Sequence, residues 1–148
     1  MPDFKGERVC SVDEKGRLVI PAKLREALQG GVVITRWWEC AVIFPPEQWD
    51  RFTASFDSFS VLDEDADELK RHFIAGAADC VPDRMGRITL PPHLIRAFGL
   101  EKDVVVAGMI DRLEIWNKDV WDAKHSPENN AALRAKARLL LGKGGTGA

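Results

Sequence analysis

Arg17 follows Asp13 by four residues, and Arg87 follows Asp83 by the same interval. A guanidinium is a planar fork of five N–H donors, matched to a carboxylate, a phosphate or the O6/N7 edge of guanine. Lys15 and Arg84 add cations beside the two arginines. Two readings are open at this level, and they are compatible. Each arginine folds back on its own aspartate as an exposed ion pair of little energetic weight, or it is presented to DNA. An aspartate that orients an arginine also aims it. Catalytic material is thin by contrast. His72, His93 and His125 have no triad or metal-ligand spacing, there is no tyrosine, and the carboxylates cluster where solvation accounts for them. Gly142-Lys143-Gly144-Gly145-Thr146 resembles a phosphate loop only superficially, because neither a strand before it nor a helix after it is expected. No enzyme, cofactor, metal site or small-molecule substrate is therefore expected.

The elements that hold these residues occur twice. Asp13-Glu14-Lys15-Gly16-Arg17-Leu18-Val19-Ile20-Pro21 recurs as Asp83-Arg84-Met85-Gly86-Arg87-Ile88-Thr89-Leu90-Pro91, a shift of 70 residues. Further on the shift is 72: Val32-Val33-Ile34 falls on Val104-Val105-Val106, and Trp49-Asp50 on Trp121-Asp122. Copy two thus carries a two-residue insertion between Gly99 and Val104. Copies of roughly 45 residues are too short to enclose good cores alone, which predicts one pseudo-symmetric core.

In each copy an alternating segment (Arg8 to Val12) and a second (Arg17 to Ile20) read as a hairpin, with Asp13 accepting backbone bonds and Gly16 taking positive φ at the turn. Asp83 and Gly86 repeat those roles. A proline-led helix with Leu24 and Leu28 on one face follows, then strands Val32 to Arg36 and Ala41 to Phe44, and a helix turning Trp49, Phe52 and Phe56 inward. A connector with Asp63, Glu64 and Asp65 first and Lys70 and Arg71 last reads as a helix lined by Ala66, Leu69 and Phe73. Copy two repeats the pattern. Of the tail, Ala131 to Leu141 reads as a basic amphipathic helix, with flexible flanks including residues 142–148. The expected organisation is repeat one at 7–54, an acidic helical connector at 55–76, repeat two at 77–123 and a tail at 124–148.

Charge does not exclude DNA. The whole chain is −2, but residues 47 to 69 hold eight acids against Arg51, a net of −7 that leaves +5 elsewhere. The three cysteines suit small apolar core positions better than a disulfide framework or a zinc site, although Cys10 and Cys80 are equivalent and could meet across a pseudo-twofold axis. No apolar run is long enough for a membrane and no signal peptide is visible, so the expected location is cytoplasmic. Trp37, Trp38 and Trp116 suit either the core or a subunit contact.

The duplicated Asp-x-x-x-Arg hairpin with its proline-led helix, together with Phe4-x-Gly6 and Ala75-Gly76-Ala77, resembles the MraZ family over residues 4 to about 123. MraZ proteins belong to the SpoVT/AbrB-like swapped-hairpin group. The resemblance implies an α+β fold, a double-split β-barrel built from the two repeats with flanking helices. It further implies a transcriptional regulator, usually a repressor of the division and cell-wall gene cluster including its own promoter. Such a regulator would be nucleoid-associated and would bind repeated boxes in double-stranded promoter DNA as a ring-shaped homo-oligomer, gaining affinity through multivalency. Carried over residue by residue, the family motif falls on Asp13 with Arg17 and on Asp83 with Arg87. Lys15 and Arg84 join them from the residue reading, while Lys23 and Arg25 are expected on a helix face, touching phosphate or solvent. Lys15 and Arg25 against Met85 and Ile95 predict that the first hairpin carries more of the DNA contact. The rival function is an AbrB-like, antitoxin-type protein-interaction module using the tail.

Overall fold

β-branched runs form the centre of the structure, a computed structural model that describes residues 3–144. Val32–Arg36 (β3) and Ala41–Phe44 (β4) make one antiparallel hairpin, and Asp103–Gly108 (β7) and Leu113–Asn117 (β8) make its counterpart. Among the other strands, Glu7–Ser11 (β1) and Ala78–Cys80 (β5) edge the same sheet, whereas Arg17–Val19 (β2) and Arg87–Thr89 (β6) pair only with each other. The large sheet has the order β1-β7-β8-β4-β3-β5.

The copies exchange strands. β1 of copy one pairs with β7 of copy two, with Cys10 opposite Val104, and β5 of copy two pairs with β3 of copy one, with Cys80 opposite Val32. Val42 opposite Glu114 and Leu18 opposite Ile88 are equivalent residues facing each other, so the pseudo-twofold axis passes through both pairs. The expected hairpins are therefore corrected. The turns form, but β1 and β2 share only the Val12–Leu18 bridge before the chain diverges to partners in the other copy. Local alternation specifies a strand, not its neighbour. The large sheet is also open in its strand pairing, edged by β1 and β5, so a closed barrel is not seen in the ladder.

Both sheets cover one core. Leu18, Ile20, Ile88 and Leu90 beneath the small sheet pack with Ile34, Ile43, Val104, Leu113 and Ile115 of the large one, all buried. A second cluster joins Cys40, Val42 and Phe44 to Trp37, Trp49, Phe52 and Trp116. Trp38 stands apart at 63% exposed, stacked on His72. The cysteines are free thiols: Cys40 is buried, which pushes its thiol pKa upward, while Cys10 and Cys80 are half-buried on opposite edges of the large sheet and form no disulfide.

Helices follow the sequence with two departures. Pro46–Ala54 (α1), Glu64–Phe73 (α2) and Pro92–Phe98 (α3) form as the patterns predict, α2 capped by Asp63 through the N–H groups of Asp65 and Ala66. Ala66 and Phe73 are buried, but Leu69 is 38% exposed and does not join their stripe. In copy one the segment corresponding to α3 is two 3-10 turns, Ala22–Leu24 and Glu26–Leu28. The link from Pro21 to Val32 is two residues shorter than its counterpart from Pro91 to Val104, and a 3-10 turn covers more length per residue, about 2.0 Å against 1.5 Å.

A boundary between Lys118 and Asp119 divides the chain into two compact units. The smaller holds most of Lys118–Lys124 (α4), a 3-10 turn at Pro127–Asn129 and Asn130–Gly144 (α5). Asn129 Nδ2 donates to the carbonyls of Ala123 and Lys124, closing the turn. The flexible flank expected from Gly142 is helical to Gly144, and residues 145–148, with the end of the loop-like Gly-Lys-Gly-Gly-Thr segment, lie outside the described residues. Leu139, Leu140 and Leu141 are all exposed. No helix among the described residues is long and apolar enough to cross a membrane.

Candidate nucleic-acid interface

Each turn is built around its aspartate. Asp13 Oδ1 accepts from the backbone N–H of Lys15 at 3.0 Å and of Arg17 at 2.8 Å, and Oδ2 accepts from Arg17 Nε at 2.7 Å. Asp83 repeats this with Met85 at 2.9 Å, Arg87 at 2.9 Å and Arg87 Nε at 2.7 Å. Gly16 and Gly86 close the turns at φ +78° and +74°, where a side chain is strained. The backbone bond from Arg17, or from Arg87, together with the side-chain bond and a further N–H, holds each carboxyl below its ordinary pKa against the opposing effect of desolvation.

The fold-back reading of the arginines is thus the observed one, and it does not occupy them. Only Nε is bound to the aspartate, which leaves the four Nη protons of each guanidinium for another acceptor. Leu18 and Ile88 point into the core, so alternation turns Arg17, Val19, Arg87 and Thr89 outward, with Arg17 opposite Thr89 and Val19 opposite Arg87. The ribbon that displays the arginines is therefore one strand from each copy. Its turns sit at opposite ends: Leu90 N–H donates to Gly16 O at 2.8 Å, and Ile20 N–H donates to Gly86 O at 2.9 Å. From Gly16 to Ile20 is four steps, about 13 Å at roughly 3.3 Å per residue. Lys15 and Arg84 are exposed at the two turns.

The remaining candidates are separated. Lys23 is exposed and lines a cleft with Lys5, Glu7 and Arg8, not with either turn. Arg25 is not on a free helix face. Its Nε donates to Ile20 O at 2.9 Å, and its side chain lies against Gly86, where an added Cβ would stand 2.8 Å from Arg25 Cζ. Arg25 therefore belongs to the second turn, and the sequence expectation that it strengthens the first is corrected. Its counterpart Ile95 crosses the other way, with Cδ1 3.0 Å from a Cβ built on Gly16. Only a comparison of the copies position by position, Arg25 against Ile95 and Glu14 against Arg84, signals this difference in sequence. The histidines are engaged with carbonyls: His72 with Trp37 at 2.7 Å, His93 with Gly76 at 3.0 Å and His125 with Trp121 at 2.8 Å.

Comparison with known proteins agrees with this duplicated plan. A family model described as "MraZ protein, putative antitoxin-like" matches residues 4–72 and again residues 73–142. A protein of Syntrophobacter fumaroxidans named transcriptional regulator MraZ is 41% identical over 126 residues, covering 82% of this chain and 84% of the relative. Proteins of the same name from Parafrankia sp. and Acetivibrio thermocellus are 42% and 38% identical, covering 94% and 93% of this chain and 98% and 97% of their own lengths. With one motif, one turn geometry and one family match in each half, the chain belongs to the MraZ family.

Proposed function

We propose that the chain is a sequence-specific DNA-binding transcriptional regulator that reads double-stranded promoter DNA with the outer face of the β2–β6 ribbon and its two turns. The observation that carries this reading is the repeated aspartate clamp, Arg17 Nε to Asp13 and Arg87 Nε to Asp83 at 2.7 Å each, which aims two guanidinium groups from one ribbon. A two-stranded ribbon fits the major groove, where arginine is the commonest specific partner of guanine. Asp13, Gly16, Asp83 and Gly86 hold the turns; Arg17 and Arg87 read; Lys15 and Arg84 add charge. The relatives' shared name, transcriptional regulator, supports the same assignment.

The finer picture is a cytoplasmic, nucleoid-associated repressor of a division and cell-wall gene cluster including its own promoter, working as a ring on repeated boxes. A ring reconciles a chain of net charge −2 with tight binding, since each subunit contributes few phosphate contacts and the assembly multiplies them. A double-split barrel with repeats at 7–54 and 77–123, joined by the 55–76 connector, accords with the strand exchange and the shared core. The chain is read as a binding protein, not a catalyst.

A protein-interaction reading has its own support in the words "antitoxin-like" and in the exposed leucines of α5. Footprinting on the DNA upstream of the encoding gene separates the two. Regularly spaced protected boxes with binding that weakens steeply in salt are expected. Absence of protection at low salt would transfer the assignment to protein binding.

A further inference from the structure

We propose that Arg25 and Arg84, one from each copy, form a cleft under the second turn that binds one backbone phosphodiester of the DNA. This rests on the DNA-reading assignment above and adds to it a site that the first turn lacks.

Arg25, Arg84, Gln29, Ile20, Asp83 and Gly86 line a cleft of about 160 Å³. That leaves room for a small oxyanion. The negative group in it is already committed, because Asp83 Oδ1 takes two backbone N–H groups and Oδ2 takes Arg87 Nε. The positive groups are not. Arg25 commits Nε to Ile20 O and keeps its Nη donors, while Arg84 is exposed and has no ion pair among the described residues. Gln29 adds an amide donor at the rim. Two guanidinium groups around a cleft with no uncommitted carboxylate select an anion, and bidentate phosphate binding is what arginine geometry favours.

The counterpart positions invert the chemistry. Ile95 stands for Arg25 and Glu14 for Arg84, so the matching place beside the first turn is apolar and acidic. Gly86 is what admits Arg25, since a Cβ there would collide with the guanidinium. An isolated phosphate shares this chemistry with a phosphodiester, so the test separates them.

The test is a fluorescence-anisotropy titration of a labelled duplex, taken from the DNA upstream of the encoding gene, at several salt concentrations. Arg25→Ile and Arg84→Ala should each weaken binding about tenfold near 0.15 M salt. Each should also make the log–log salt slope shallower by about 0.9, the value of one phosphate. The double variant should lose no second phosphate. Arg25→Lys should retain most of the slope. Wild-type affinity and slope in Arg25→Ile overturn the inference and leave the DNA reading intact. Weaker binding at unchanged slope also overturns it, reducing Arg25 to a brace of the turn. Should Arg25→Ile fail to fold, Arg84→Ala at the exposed tip gives the same reading of the slope. Wild-type protein that does not bind the duplex sinks the DNA reading itself. Inorganic phosphate that raises the melting temperature of the wild type but not of Arg25→Ile, while that substitution leaves DNA affinity and slope unchanged, would assign the cleft to a free anion and overturn the DNA phosphate.

Discussion

The two turns share their hydrogen bonds and differ in what surrounds them. Asp13 and Asp83 make the same three contacts, and both glycines adopt the same left-handed conformation. The first turn carries Glu14 and Lys15 and rests on Ile95; the second carries Arg84 and Met85 and rests on Arg25. Turn geometry is thus fixed by residues within five positions, whereas the charge at each end of the ribbon depends also on a residue from the other copy, Ile95 at the first turn and Arg25 at the second. Duplication allows this. In a homodimer both ends would be identical, but in one chain each end can change alone.

The largest effect that sharpens the comparison is loss of the aimed arginines. Arg17→Ala should reduce specific affinity by 1–3 kcal/mol, about 5- to 150-fold, in a gel-shift titration. From the residues around each turn in sequence, Arg87→Ala would impair binding less. With Arg25 at the second turn, the two losses should agree within about threefold. Neither should lower stability by more than about 1 kcal/mol, because each ion pair is exposed.

Next in size are the glycines. Gly16→Ala and Gly86→Ala should each cost about 1–2 kcal/mol in urea unfolding, the strain of a side chain at positive φ. They should differ in DNA binding, since only Gly86→Ala displaces an arginine. Equal loss of binding would break the comparison.

A smaller, symmetric effect follows from pH. Both aspartates have folded pKa values below their ordinary one, so their contribution to stability is complete above the ordinary carboxylate range and is lost as pH falls through the lowered values. Asp13→Ala and Asp83→Ala should therefore be less stable than wild type at neutral pH and converge with it in acid, equally for both turns. Urea midpoints from pH 7 to pH 2 measure this. A gap that persists unchanged to pH 2 would show that the carboxylate charge is not what the clamp uses. Smallest of all, deleting residues 125–148 should leave DNA affinity within about twofold at constant oligomeric state.

Duplication, turn chemistry and the helical connector were legible because each is written locally: Asp13 and Gly16 have one conformational solution, and α2 is bounded by its own cap and charges. Strand exchange was not, since Arg8 to Val12 alternates equally well for β2 or β7 as a neighbour. Val9, at 55% exposed, shows what an edge position does to an expected half-buried strand. The 3-10 turns of copy one depend on the spacing to Val32, which helix propensity does not report. Of the candidate site, the clamp on Arg17 and Arg87 was readable from their aspartates, but the place of Arg25 depends on a glycine 61 residues away.

Gel-shift titration of the Arg17→Ala/Arg87→Ala double variant decides whether the two clamped arginines on one ribbon are the readers. Operator and scrambled duplexes of equal length are compared at fixed salt. The double variant should fold, with its affinity for the operator reduced to its affinity for the scrambled duplex. Operator preference retained at the wild-type ratio would contradict it.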